Sequence, residues 1–475
     1  MGKTLKADIV VIGAGSGGLS VAAGAAQMGA RTILIEKGKM GGDCLNYGCV
    51  PSKALIAAGH AAHQVRSSGK FGVNGHEPEI DFAKVHDHVH GVIAAIAPHD
   101  SVERFEGLGV EVIQGAATFV SPREVEVDGT RIRGRRFVIA TGSSAALPPI
   151  PGLEDVPYLI NETVFGLTER PDHLIVIGGG PIGAELAQAH RRLGAKVTII
   201  ERDRILAKDD AEVTAIVRKR LSEEGVAMLE KVEIVSVARE GNGVAVTIDE
   251  GGDERVVSGS HLLVAAGRRP NIKGLGLDEA KIEHTARGIT VDARLRTSNK
   301  RVFAIGDVAG GFQFTHMAGY HAGIVIRNAL FNIPAKVKHD AVPWVTYTDP
   351  EIAHVGMSEA QARQRHGEDV RVLRWSFEEN DRAQAERETD GLVKAVVGPR
   401  GKILGASIAG PHAGELLQPW ILAIDQGLKI GAMAGLIAPY PTLGEVNKRA
   451  AGSYYTPSLF SDRTRKVVGL IQHLP

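Results

Sequence analysis

The sequence predicts an α/β protein in which one strand, glycine turn, helix and strand unit occurs twice, followed by a separate α+β region. Three observations predict this. Two segments of the same texture lie far apart in the chain. Each carries glycines in the spacing G-x-G-x-x-G and ends on a glutamate. From about residue 344 the texture changes to short alternating strands and helices with no turn of this kind.

The first segment, "DIVVIGAGSGGLSVAAGAAQMGARTILIEK", reads as a buried β-run, a turn, a small-residue helix and a second β-run. Gly13 suits a tight backbone turn and Gly15 the close approach of a pyrophosphate. Gly18 lets helix and strand pack closely, and the helix N-terminus then faces the phosphates. Glu36, 23 residues beyond Gly13, stands where a carboxylate accepts hydrogen bonds from an adenosine ribose. The second segment, "HLIVIGGGPIGAELAQAHRRLGAKVTIIER", repeats the pattern with Gly178, Gly180 and Gly183, and Glu201 again follows 23 residues after the first glycine. Two Rossmann-like dinucleotide sites are expected.

Each unit is followed by another apolar strand and a small-residue turn. These are "RFVIATGSSAALPPIPG", with Ala140, Thr141 and Gly142, and "HLLVAAGRRPN", with Gly267 and Arg268. Taken singly, each turn reads equally well as a solvent-facing turn. The prolines of "PPIPG" suit an extended crossing between units. Further on, "RTSNKRVFAIGDVAGG" ends a β-run on Gly306 and Asp307. An aspartate there receives sugar hydroxyls at the mouth of a parallel sheet, or serves as a helix N-cap.

Composition narrows the function. With 55 basic and 55 acidic side chains the net charge is zero, which offers no footprint for nucleic acid or an anionic membrane. Small-molecule partners are expected. Residues 10–30 lack charge, but their glycines break the run and no membrane span is expected. A strand beginning by Asp8 leaves no room for a signal peptide, so a cytoplasmic location is expected.

Both cysteines of the chain, Cys44 and Cys49, fall in "GGDCLNYGCVPSKAL". Such a pair is a disulfide staple, a metal clip or a redox couple. A reducing cytosol disfavours the staple, and nearby residues supply no further ligands for zinc, so no metal site is expected and the redox couple leads. Pro51 suits the first turn of a helix, placing Cys49 at or beside its N-cap, where the helix terminus favours a thiolate. Lys53 lies one turn further on the same face.

With these residues in view, the chain resembles the class I pyridine nucleotide-disulfide oxidoreductases, the family of dihydrolipoamide dehydrogenase, glutathione reductase and mercuric reductase. The likeness runs from Asp8 to about Pro457 and is most specific at "GGDCLNYGCVPSK", which departs from the family motif at Asp43 and Tyr47. It implies an FAD-binding domain in residues 1–150 and 273–343, a nicotinamide nucleotide domain in 151–272 and a dimerisation domain in 344–475. A homodimer follows, its active site completed by the partner subunit. The resemblance further implies Cys49 as charge-transfer thiol, Cys44 as interchange thiol and Glu185 as the partner of Lys53. Lys37, Gly42, Ala140, Thr141, Gly142, Gly267, Arg268, Gly306 and Asp307 join the glycine turns as expected cofactor-binding residues. Glu201 favours NADH by accepting from a free 2′-hydroxyl, while Arg202 keeps NADPH open.

Two departures bear on the substrate. Disulfide reductases of the family carry H-P-T-x-x-E, but here "YPTLGE" puts Tyr440 in the histidine's place and keeps Glu445. A phenol is a poor base at neutral pH. His412 in "GPHAGE" is a conceivable replacement, though a histidine in such a turn is more often structural. Mercuric reductase-like proteins also have tyrosine in this segment, and soft Hg(II) taken up as substrate by thiolates needs no histidine base. They deliver the metal through a cysteine pair near the C-terminus, and this tail, "RKVVGLIQHLP", has none. Three activities are therefore expected, in order: reduction of a disulfide or thiol-reactive substrate, reduction of a soft metal ion or quinone, and redox sensing.

Overall fold

The computed structural model describes residues 4–473, which form two compact units. The first contains residues up to 66, 76–202 and 229–338; the second contains 67–75, 203–228 and those from 339 onward. Residues 203–228, which the sequence reading includes in 151–272, are thus grouped with the C-terminal sheet.

In the first unit, strand Thr4–Ile12 pairs in parallel with Thr32–Glu36 on one side and Thr130–Ile139 on the other. Val110–Gln114 extends one edge in parallel, and Val302–Ala304 pairs in parallel with Thr130–Ile139. Alternation along the strands divides the core. Val10, Ile12, Ile33 and Ile35 enter one apolar cluster, whereas Ile9, Val11 and Leu34 enter the other. Both faces being covered, the strands read as continuous apolar runs. A second parallel arrangement joins Lys196–Glu201, His173–Ile177 and His261–Val264. Between them the chain makes an antiparallel sheet of Glu233–Glu240, Gly243–Asp249 and Glu254–Gly259.

The second unit is built on a five-stranded antiparallel sheet in the order Pro343–Thr346, Glu351–Gly356, Ile403–Gly410, Leu392–Val397, Arg371–Ser376. Helices Ala413–Leu416, Gln418–Asp425, Ile430–Ala434 and Glu445–Gly452 add Trp420, Ile430, Met433 and Val446 to its core. Helix Ala211–Glu223 packs on the same sheet. At its N-terminus Asp210 and Glu212, with Glu359, converge on the buried Lys394 ammonium at 2.7, 2.6 and 2.9 Å. The expected α/β fold with a distinct α+β C-terminal region is borne out.

Candidate active site

The two glycine turns are built alike. Gly13 has φ +104° and Gly178 φ +108°. A Cβ at Gly13 would lie 2.4 Å from the Ala140 carbonyl oxygen, and one at Gly178 2.5 Å from that of Ala265, so only glycine fits either position. Gly18 and Gly183 open helices against the preceding turns, where a Cβ would stand 1.8 and 1.9 Å from the carbonyl oxygens of Gly13 and Gly178. At each turn a carboxylate holds the backbone: the Ala14 N–H donates to Glu36 Oε2 at 2.5 Å and the Gly179 N–H to Glu201 Oε2 at 2.6 Å. Glu36 Oε1 also accepts from the Gly38 N–H at 2.7 Å, and Lys37 beside it is exposed.

These features suit dinucleotides. Helices Ser16–Gln27 and Pro181–Arg192 present uncapped N-termini at Gly15 and Gly180. No heavy atom lies within 4 Å of a Cβ built on Gly180, Gly142 or Gly267, which leaves their backbones approachable. Gly42, at φ +59°, faces Gly15, and a Cβ on it would come within 2.7 Å of the Gly15 Cα. Thr141 Oγ1 donates to the Asn271 carbonyl at 2.8 Å, and Asn271 Nδ2 returns a bond to the Thr141 carbonyl at 3.0 Å. This ties the Ala140–Gly142 turn to the turn after Arg268. Gly306 has φ +65°, and Asp307 lies inside the short 3-10 turn Gly306–Ala309 rather than at its cap. Asp307 Oδ2 accepts from Ser143 Oγ at 2.5 Å, and burial raises its pKa.

The cysteine pair bridges two helices. Cys44 lies in the short helix Gly42–Asn46, and Cys49 opens helix Cys49–Ser67, with Pro51 in its first turn. The Cys44 thiol hydrogen-bonds Cys49 and thereby lowers the Cys49 pKa to about 6. Burial opposes this shift, while Thr315 Oγ1, 3.4 Å from Cys49 Sγ, and the Lys53 ammonium support it. Cys44 is pushed the other way, first by its hydrogen bond to Cys49 and then by burial. The two thiols are thus displaced in opposite directions, which favours the thiolate at Cys49 and the thiol at Cys44. Lys53 Nζ donates to Glu185 Oε2 at 2.8 Å, and Glu185 is only 6% exposed. The structure brings together Cys44, Cys49, Lys53 and Glu185.

Tyr440 and Glu445 belong to the C-terminal unit. Tyr440 is 70% exposed and its hydroxyl donates to Asp381 Oδ2 at 2.9 Å, which raises the phenol's pKa further. Glu445 begins helix Glu445–Gly452. His412 has φ +55° and caps Ala413–Leu416.

Sequence reasoning missed Thr315, Ser143, Asn161 and Asn271. None stands in a spacing that carries a signal, since each meets its partner across more than a hundred residues.

Residues 7–322 match the family model described as pyridine nucleotide-disulphide oxidoreductase, and 342–451 match the dimerisation domain of the same family. The chain is 36% identical over 446 residues to a mercuric reductase of Bacillus cereus, covering 93% of this chain and 70% of that one. It is 38% identical over 456 residues to a dihydrolipoyl dehydrogenase of Geobacillus stearothermophilus, covering 94% and 96%. The Cu(II) complex of the HOCl-induced flavoprotein disulfide reductase RclA from Escherichia coli superposes with a TM-score of 0.83 at 28% identity, covering 93% and 98%. Because these likenesses run through almost the whole length, the chain belongs to the class I pyridine nucleotide-disulfide oxidoreductases and is an FAD-dependent enzyme of that family.

Proposed function

We propose that this chain is an NADH-dependent reductase whose Cys44 and Cys49 relay electrons to a disulfide or similarly thiol-reactive substrate. The placement of Cys44 and Cys49 on adjoining helices, with Lys53 one turn beyond Cys49 and bonded to Glu185 at 2.8 Å, carries the reading. Gly13, Gly15, Gly18, Glu36, Gly42 and Asp307 would hold FAD; Gly178, Gly180, Gly183 and Glu201 would hold the nicotinamide nucleotide. Bound FAD supplies the two-electron relay between nicotinamide and the cysteine pair.

The protein's own groups manage charge and protons. Two electrons and one proton convert the Cys44–Cys49 disulfide to a Cys44 thiol and a Cys49 thiolate. Lys53 is one helical turn from Cys49 and favours that thiolate, while Glu185 orients the ammonium. Cys44, once deprotonated, attacks the substrate disulfide, forms a mixed disulfide and expels one thiol. The Cys49 thiolate then attacks Cys44, restores the enzyme disulfide and expels the second sulfur as a thiolate, which takes its proton from solvent. The Cys49 thiolate persists above about pH 6 and is lost as pH falls through that value. Glu201 favours NADH because a carboxylate repels a 2′-phosphate. A homodimer fits the dimerisation domain, with the partner's Tyr440 and Glu445 completing the site. Among the described residues no helix is long and apolar enough to cross a membrane.

One observation favours a second reading, reduction of a soft metal ion or quinone. The Tyr440 hydroxyl is engaged with Asp381, which raises its pKa and leaves it still less ionised at neutral pH than a free phenol. Steady-state NADH oxidation with lipoamide, glutathione disulfide, Hg(II), Cu(II) and quinones separates the readings. Tyr440→His should raise turnover with a disulfide about 10²-fold, the scale of a positioned acid or base. A variant that is reduced by NADH at the native rate yet gains with no disulfide supports the second reading.

A further inference from the structure

Asp43 and Tyr47, the two departures from the family motif, meet in one clamp. Asn161, 8% exposed, donates from Nδ2 to Asp43 Oδ1 at 2.9 Å and to the Tyr47 carbonyl at 3.3 Å. Arg268 Nη2 lies 3.1 Å from Asp43 Oδ2 and also donates to the Ser143 carbonyl at 2.8 Å. Its Nε donates to Ser143 Oγ at 2.7 Å and stands 3.9 Å from Asp307 Oδ2. The Asp43 carboxylate also reaches across the cysteine loop. A Cβ built on Gly48, the residue before Cys49, would lie 2.9 Å from Asp43 Oδ2. A side chain adjacent to Cys44 in sequence therefore packs on the residue adjacent to Cys49.

We propose that Asp43, held by Arg268 and Asn161, is a positioning residue that closes the Cys44–Cys49 loop and, by opposing Lys53, lowers the thiolate population of Cys49. The proposal rests on the reading of the cysteines as a reactive pair. The charges around the loop are Lys53 with Glu185 on one side and Arg268 with Asp307 on the other. Asp100 approaches Gly41, and the Lys39 ammonium lies over the Tyr47 ring at 5.4 Å. Of the carboxylates, Asp43 opposes the Cys49 thiolate, while Lys53 favours it. Arg268 offsets Asp43 without an ion pair to either thiol.

The test is the rate at which iodoacetamide alkylates Cys49 in the reduced, full-length protein, followed by peptide mass spectrometry below the native midpoint. There the rate is proportional to the thiolate fraction. Asp43→Asn removes the charge and retains an acceptor for Asn161, and should raise the rate about threefold. A second uncharged variant, Asp43→Thr, carries the same expectation. Arg268→Gln leaves Asp43 uncompensated and should lower the rate about threefold, and the double variant should return toward native. Single variants that both move the rate in one direction, or an Asp43→Asn protein indistinguishable from native, would overturn the proposal. A native protein whose Cys49 reacts like an ordinary thiol would instead overturn the reading of the cysteine pair.

Discussion

The two nucleotide turns share one backbone frame but differ in what surrounds it. Their first glycines differ by only 4° in φ, and their carboxylates hold the following amides at 2.5 and 2.6 Å. At the first turn Gly42 backs onto Gly15, so the cysteine-bearing loop forms a wall of the cradle. Strand Val302–Ala304 adds a further edge and delivers Asp307. At the second turn a Cβ on Gly180 would meet nothing within 4 Å. A walled cradle suits a group retained through turnover, and an open one suits a nucleotide that enters and leaves in each cycle.

The sharpest way to break this comparison is to apply one substitution to both frames. Gly18→Ala and Gly183→Ala each force a methyl onto a carbonyl oxygen and should cost about 1–3 kcal/mol or more of overpacking. Gly18→Ala should yield protein largely without flavin, read from the ratio of flavin to protein absorbance. Gly183→Ala should keep its flavin and lose about 10²-fold in reduction by NADH, the scale of such a cost. Equal flavin loss in both variants would show that the two frames are not independent sites.

Glu201→Ala tests the second turn alone. Loss of a hydrogen bond to a charged group costs roughly 1.5–3 kcal/mol, or about one to two decades in kcat/KM for NADH, with flavin content unchanged. If the preference between NADH and NADPH stays fixed, Arg202 rather than Glu201 sets specificity.

The smallest contrast sharpens the claim about walls. Gly42→Ala meets both a positive φ and the Gly15 Cα, and should weaken flavin retention measurably in dilution or gel filtration. Gly180→Ala has an ordinary φ of −71° and open space, so its fold should be native and its NADH KM should rise only a few-fold, from the lost close approach of the backbone. Similar phenotypes for the two would remove the distinction between a closed and an open cradle.

The sequence by itself determined the two turns, the parallel strands around them and the cysteine pair. These are local constraints: positive φ, a methyl-sized space and a 23-residue return to a carboxylate impose residue types at short, repeated spacings. Lys53 with Glu185 was legible only through the family resemblance, because its partners are 132 residues apart and sit in no shared pattern. Tertiary structure alone decided that Thr315 meets Cys49, that Asn161 and Arg268 grip Asp43, and that Tyr440 bonds Asp381. It also decided that helix Ala211–Glu223 packs on the C-terminal sheet. Such contacts depend on how finished elements pack against one another, and single polar residues meeting across a packed interior leave no periodicity in the chain that could announce them.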